Sequence, residues 1–163
     1  MSDQQAIQKT LGDLKLLAPT GYALAFQIEF TTPTFLFQTY PKAWISQYSE
    51  KGLVMSDPTV HWGFENEGTV RWSALTATDT AGVLDLAADH GLKYGLTCCV
   101  CTNAIRSFAS FSRGDAEFTD AQAQTLLATV TDLHAQTAKI KTLSPETTAA
   151  LQKMSVQVTP SVR

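Results

Sequence analysis

Large apolar and small or polar residues alternate from Tyr22 to Phe30. Tyr22, Leu24, Phe26, Ile28 and Phe30 form one set, and Ala23, Ala25, Gln27 and Glu29 the other. A period of two is the repeat of an extended strand, so this stretch predicts a strand with one bulky face and one small or polar face. Before it, Ile7, Leu11, Leu14 and Leu17 recur at helical spacing, which predicts an amphipathic helix over about 2–17, ended at Pro19-Thr20-Gly21. Thr31-Thr32-Pro33 turns the chain into a second strand from Thr34 to about Thr39. Both faces of that strand carry bulk, which predicts a place inside the sheet rather than at its edge.

Further along, Tyr40, Trp44 and Tyr48 lie at i, i+4 and i+8, aligned on one side of a helix whose first turn holds Pro41. Asp57 and Pro58 have the character of an N-cap and first residue for a short helix through His61 and Trp62. Gly68 marks a turn into a brief strand, Thr69 to Trp72. Thr78-Asp79-Thr80 caps a helix over Val83, Leu84, Ala87 and Ala88, closed by Gly91. Tyr94 to Cys101 and Ile105 to Ser112 form a hairpin around Thr102-Asn103-Ala104. Thr119 caps a long helix with Leu126, Leu127, Val130, Leu133 and Ile140 as its stripe, and Ser144-Pro145-Glu146 opens a last helix to about Met154. Residues Ser155 to Arg163 are expected to fray. The order of elements predicts an α+β fold, an α-β-α sandwich with a central antiparallel sheet of about five strands and helices on both faces.

Composition narrows the function. The formal charge is −3 and no basic run occurs, so the chain lacks the phosphate-neutralising face of a protein that binds nucleic acid by itself. The first residues, MSDQQAIQKT, are polar and no membrane span is present. The 3 cysteines, Cys98, Cys99 and Cys101, make no disulfide framework and point to a reducing, cytoplasmic setting. On a strand Cys99 and Cys101 share a face while Cys98 points away, and His61, His90 and His134 are scattered, so no metal site and no cofactor are expected. Neither a phosphate-binding glycine motif nor a nucleophile elbow is present, and no enzyme is expected.

All 3 tryptophans fall between Tyr40 and Trp72. Taken alone, aromatic residues at helical spacing are most often core, and an Asp before Pro is most often a helix cap. The ordered set Y-P-x-x-W-x-x-x-Y, D-P-T-V and W-S, followed by ADHGLKYGLTCCV from Ala88 to Val100, resembles the autoinducer-binding domain of LuxR-type quorum-sensing regulators. The resemblance covers most of Phe35 to Ser112. It implies a pocket for an N-acyl homoserine lactone, a compact polar head on an apolar acyl tail. By motif position it also implies that Trp44 donates to the lactone carbonyl, Asp57 accepts from the amide N–H, and Tyr40 and Ser110 donate to the amide carbonyl. Tyr48 and Trp72 become pocket walls, and Thr59 and Thr97 face a 3-oxo group. Asp57 in apolar surroundings is an unpaired charge until a ligand satisfies it. Two positions depart from the family pattern. Cys99 replaces a usual Pro, and Ser107 replaces a usual Gly in the strand facing the ligand, where a hydroxyl would crowd the pocket or add a donor.

The resemblance also divides the chain into a sensor domain, 1–142, and a tail, 143–163, resembling the start of a helix-turn-helix domain. It implies a transcription-regulating sensor that forms a homodimer, or a heterodimer with a full-length regulator. The alternative reading is a ligand-independent, truncated LuxR-like protein that dimerises with a full-length regulator and sequesters it.

Overall fold

The computed structural model describes residues 2–158. Helix α1 (Asp3–Leu17) starts at a capping box. Ser2 accepts from the backbone N–H of Gln5, whose side chain accepts in return from Ser2 N–H. Strands β1 (Gly21–Glu29) and β2 (Thr32–Gln38) follow, then helices α2 (Lys42–Glu50) and α3 (Pro58–Glu65), with a 3-10 turn at Leu53–Met55 between them. Strand β3 (Gly68–Arg71) runs into a longer 3-10 segment, Trp72–Thr78, and helix α4 (Val83–Ala88). The hairpin β4 (Tyr94–Thr102) and β5 (Ile105–Arg113) leads to helices α5 (Asp120–Leu143) and α6 (Pro145–Val158). Ser155–Val158 is thus helical, and the rest of the segment expected to fray, 159–163, lies outside the described residues.

The strands form one antiparallel sheet of 5 in the order β2-β1-β5-β4-β3. Asn103 and Ala104 both take positive φ in the β4–β5 turn, the backbone a two-residue hairpin needs to match the twist of its strands. One sheet face is covered by α1, α5 and α6. Its core joins Tyr22, Leu24 and Phe26 of β1, Phe35 and Phe37 of β2 and Phe111 of β5 to Ile7, Leu126, Val130 and Leu151 of the helices. A second cluster on the other face gathers Tyr40, Trp44, Trp72, Val83 and Leu92. The α-β-α arrangement is therefore as the sequence predicts.

Three expectations are corrected. Strand β2 is an edge strand. Its bulk on both faces has another cause: Phe35 and Phe37 enter the core, α6 packs on the strand and donates from the Gln152 amide to Thr34 O, and Leu36 borders a cavity on the other face. The alternation of β1 also breaks. Pairing with β5 slips between Ala25 and Ile28, and Gln27 has φ of 56°, a bulge that puts one extra residue in β1. Phe26 and Gln27 both face the α5 layer, so Ile28 emerges on the opposite face. Phe30, at φ of 58° in the turn beyond, is 99% exposed rather than part of the bulky face. Finally, Trp72 begins the 3-10 segment instead of closing β3.

Gln27 adopts the left-handed region at a cost of order 1–3 kcal/mol for a non-glycine residue. A buried set of polar bonds offsets it. Its N–H donates to Ser107 Oγ (3.0 Å), and its amide donates to His134 O (2.8 Å) and Thr137 Oγ1 (3.0 Å). Ser107 Oγ also lies 2.6 Å from His134 Nδ1, and His134 Nε2 lies 3.2 Å from Thr102 Oγ1. With Gln27 donating to Ser107, the Ser107 hydroxyl proton is free to go to Nδ1, which leaves Nε2–H to donate to Thr102. That arrangement requires a neutral imidazole, and burial holds the His134 pKa below its ordinary value.

Candidate functional site

Between the sheet and α2–α4 lies a cavity of about 930 Å³. The sequence explains why it is hollow. Where β1 and β5 pair beneath it the strand residues Ala23, Ala25 and Ser110 are small or polar, so the sheet contributes little bulk there, and bulk returns only at Ile28, Leu36 and Phe108. At Gly95 on β4, an added Cβ would lie 1.9 Å from the Trp72 ring. Only glycine lets that indole lie flat against the strand.

Of the eight site residues drawn from the sequence, Tyr40, Trp44, Tyr48, Asp57, Thr59, Trp72 and Ser110 border this cavity. Thr97 does not border it; its hydroxyl stands behind, accepting from Trp72 Nε1 (3.1 Å) and sharing a 2.7 Å hydrogen bond with Ser110 Oγ. Tyr40 precedes α2 instead of lying on it, and Pro41 occupies the cap position. Tyr40 still turns inward, and its hydroxyl reaches Ser110 O at 3.3 Å. Trp44 and Tyr48 meet edge to face with ring centroids 5.6 Å apart.

Asp57 caps α3, as its position before Pro58 predicts. It is not an unpaired charge, however. Oδ1 accepts from Thr59 N–H (2.8 Å) and Thr59 O–H (2.7 Å), and Oδ2 accepts from the Tyr48 hydroxyl (2.7 Å). A carboxylate has about four acceptor sites, so roughly one remains for a further donor. The phenols of Tyr40 and Tyr48 are both pushed far above the ordinary tyrosine value, by burial first and by the Asp57 carboxylate second. Both therefore stay protonated as donors. Trp44 is 4% exposed, and its indole N–H has no hydrogen-bond partner among the described residues. The polar end of the cavity thus offers a free N–H donor and a carboxylate with spare capacity.

The other end is apolar. Ile28, Phe64 and Phe108 border it, and the two phenylalanines meet edge to face at 5.2 Å. The Phe108 ring lies over Gly63, where an added Cβ would approach it to 2.9 Å. Sequence reading missed these three residues. Phe108 alternates with Ser110 and was legible by parity, whereas Ile28 was hidden by the bulge. The Leu36, Val54 and Met55 side chains border the cavity while partly or largely exposed.

The two departures from the family pattern do not enter this space. Ser107 points to the α5 layer, where it bonds Gln27 and His134, so it neither crowds the cavity nor adds a donor to it. Cys99 is buried, with its thiol donating to Gly63 O at 3.2 Å, and burial raises its pKa. Among the described residues, no group of three or more His, Cys, Asp or Glu is placed to hold a metal ion.

Residues 25–137 match the autoinducer binding domain family over more than two thirds of the chain. The chain belongs to that family. It is a LuxR-type autoinducer-binding sensor domain, a class that receives a small signal molecule and is not enzymatic. Among its relatives, the regulatory protein SdiA of Escherichia coli strain K12 is 32% identical over 88 residues, 53% of this chain and 37% of SdiA. The transcriptional activator protein SolR of Ralstonia solanacearum is 33% identical over 61 residues, 37% of this chain and 26% of SolR. The matches thus span between about a quarter and two fifths of the curated relatives' length. A solved structure of SdiA in complex with octanoyl-rac-glycerol superposes with a TM-score of 0.61 at 21% identity, covering 85% of this chain and 61% of that one. The N-acylhomoserine lactone-dependent LuxR family factor CepR2 of Burkholderia cenocepacia gives 0.54 at 17% identity, covering 93% and 98%. At these identities the superpositions establish the fold. No helix of the described residues is long and apolar enough to cross a membrane.

Proposed function

We propose that the cavity over β1 and β5 binds an N-acyl homoserine lactone or a closely related acylated amphiphile, polar head toward Trp44 and Asp57 and tail over Ala23 and Ala25. The observation that carries this reading is the division of one cavity into a polar end and an apolar end. Its volume lies near the upper limit of small-molecule sites, roughly 300–1,000 Å³. The Trp44 N–H would donate to the lactone carbonyl and the remaining Asp57 acceptor site would take the amide N–H. The Tyr40 and Ser110 hydroxyls would turn from their present partners to the amide carbonyl. Each pairing follows from donor and acceptor capacity, since indole only donates and carboxylate only accepts. Tyr48 and Trp72 would wall the head and Thr59 would lie nearest a 3-oxo substituent, while Thr97, which does not border the cavity, would act only by holding Trp72 and Ser110. SdiA holding an octanoyl glycerol lends support, because that molecule also joins an acyl tail to a compact polar head.

In this reading residues 1–142 form the sensor unit and 143–163 a tail resembling the start of a helix-turn-helix domain, in a cytoplasmic regulator that acts as a dimer. The packing of Leu151 and Met154 of α6 into the sensor core would couple the two.

The test is the unfolding midpoint with and without homoserine lactones of graded tail length. A ligand at a hundredfold excess over its Kd stabilises by about 2.7 kcal/mol. A rise with selected members that Trp44→Phe and Asp57→Ala abolish is the expected result. The absence of any rise across the series would overturn the reading. One observation favours the alternative: Tyr48 and Thr59 already satisfy Asp57, so the fold does not depend on a ligand for that charge. A ligand-independent partner that sequesters a full-length regulator would co-purify with it whether or not a lactone is present.

A further inference from the structure

We infer that Ile28 sets the tail length this cavity accepts, and that the buried Gln27–Ser107–His134 bonds hold it in that role without touching the cavity. The inference rests on the signal-binding reading above. It starts from the course of β1 beneath the cavity. Ala23 pairs with Ser110 and Ala25 with Phe108, so β1 and β5 run together from the polar end to the apolar one. Over the first part of this path β1 presents only methyl groups. The next inward residue on an unbroken strand is Gln27, whose polar amide would close an apolar cavity poorly. The bulge instead sends Gln27 toward α5 and brings Ile28, which pairs with Pro33 and is 4% exposed, to the cavity's apolar end. Pro33 borders the cavity there as well. A branched, stiff side chain at the end of a floor of alanines is a stop for an apolar tail lying on that floor.

What holds the stop in place lies on the other side of the sheet. Gln27 donates its backbone N–H to Ser107 Oγ and its side-chain amide to His134 O and Thr137 Oγ1, and Thr34 Oγ1 donates to Gln27 O. Each backbone polar group of the left-handed residue therefore has a side-chain partner. Ser107 sits on the β5 residue before Phe108, so its hydroxyl ties the bulge to the strand that carries the opposite wall. Ser107 and His134 are thus positioning residues for a specificity they never contact.

The experiment reads the unfolding midpoint of wild type, Ile28→Ala, Ile28→Val and Ser107→Ala against saturated N-acyl homoserine lactones from butanoyl to tetradecanoyl. Ile28→Ala is expected to move the best-stabilising member to a longer tail, and Ile28→Val, the milder change should the first not fold, to move it less in the same direction. Ser107→Ala is expected to broaden or lengthen the preference although it removes no atom from the cavity. A merely structural role would lower the midpoint without ligand and leave the preferred length unchanged. A wild-type optimum that Ile28→Ala and Ile28→Val both leave in place overturns the inference alone. No stabilisation of wild type by any member overturns the functional reading, and this inference with it.

Discussion

The two faces of the sheet use the same strands to opposite ends. Toward α1, α5 and α6, the inward residues are Tyr22, Leu24, Phe26, Phe35, Phe37 and Phe111, all but fully buried in one continuous core. Toward α2–α4 the alternate residues of β1 and β5 include Ala23, Ala25 and Ser110, with Thr97 of β4 beside them, and the layer above them is held off by Tyr40, Trp44 and Trp72. Even the polar groups differ in kind. Tyr22 on the full face spends its hydroxyl on Leu11 O, and burial pushes its pKa up to about 12. On the open face Trp44 keeps its N–H without a partner among the described residues. The comparison teaches that a strand's period of two does more than separate core from solvent. It can assign stability to one face and reception to the other.

The largest effect that tests this contrast is on stability. Phe111→Ala, in the filled core, is expected to cost about 3–5 kcal/mol in urea unfolding. Phe108→Ala, three positions earlier in the same strand and bordering the cavity, is expected to cost less than half as much. Equal losses would mean the two faces are packed alike. Gly95→Ala comes next, because the new methyl group must displace the Trp72 indole. A loss of about 1–3 kcal/mol is expected, with a change in tryptophan fluorescence that reports the moved ring. An unchanged spectrum would show that Trp72 is not held flat on β4.

Asp57→Ala should cost about 0.5–2 kcal/mol as the loss of a helix cap. Asp57→Asn can keep the cap and should recover most of that stability while binding no lactone amide. The separation of cap from receptor is the informative outcome. If Asn keeps the cap and stability is still not recovered, the Thr59 bond is not the main contribution of Asp57 to stability.

The smallest effect concerns pH. His134 has a folded pKa below its ordinary value of 6.5, so below that value the unfolded chain binds the proton more readily than the native one. Stability should therefore fall as pH drops from about 6.5 toward the lower folded pKa, and a His134→Gln protein should lose less over that window. A wild-type midpoint that rises on acidification through this range would contradict the neutral imidazole assigned between Ser107 and Thr102.

Much of this was legible in the sequence, and what was not has a common cause. Helix boundaries came from local chemistry, Thr119 as a cap and Asp57 before Pro58, and local chemistry decided them in the fold too. The alternation of β1 was a reliable guide as far as Phe26. It failed at Gln27 because the partners that stabilise the left-handed turn, Ser107, His134 and Thr137, lie about 80 to 110 residues away in the chain. The edge position of β2 was misjudged for a similar reason, since α6 covers the strand from the far end of the sequence. Asp57 and Tyr48 were both visible as site residues, but the 2.7 Å bond that satisfies one with the other was not. Residue types marked where the cavity would be. Distant pairing decided which groups in it are still free.

The most direct measurement is a crystal structure of the protein grown with octanoyl homoserine lactone. The account predicts the lactone carbonyl within hydrogen-bond reach of Trp44 Nε1, the amide N–H on Asp57, and the tail lying over Ala23 and Ala25 toward Ile28. A lactone bound elsewhere, such as between α1 and α5 where Leu14, Leu17, Thr129 and Leu133 border a second, smaller hollow, or a cavity in which Trp44 and Asp57 face no part of the head, would contradict it.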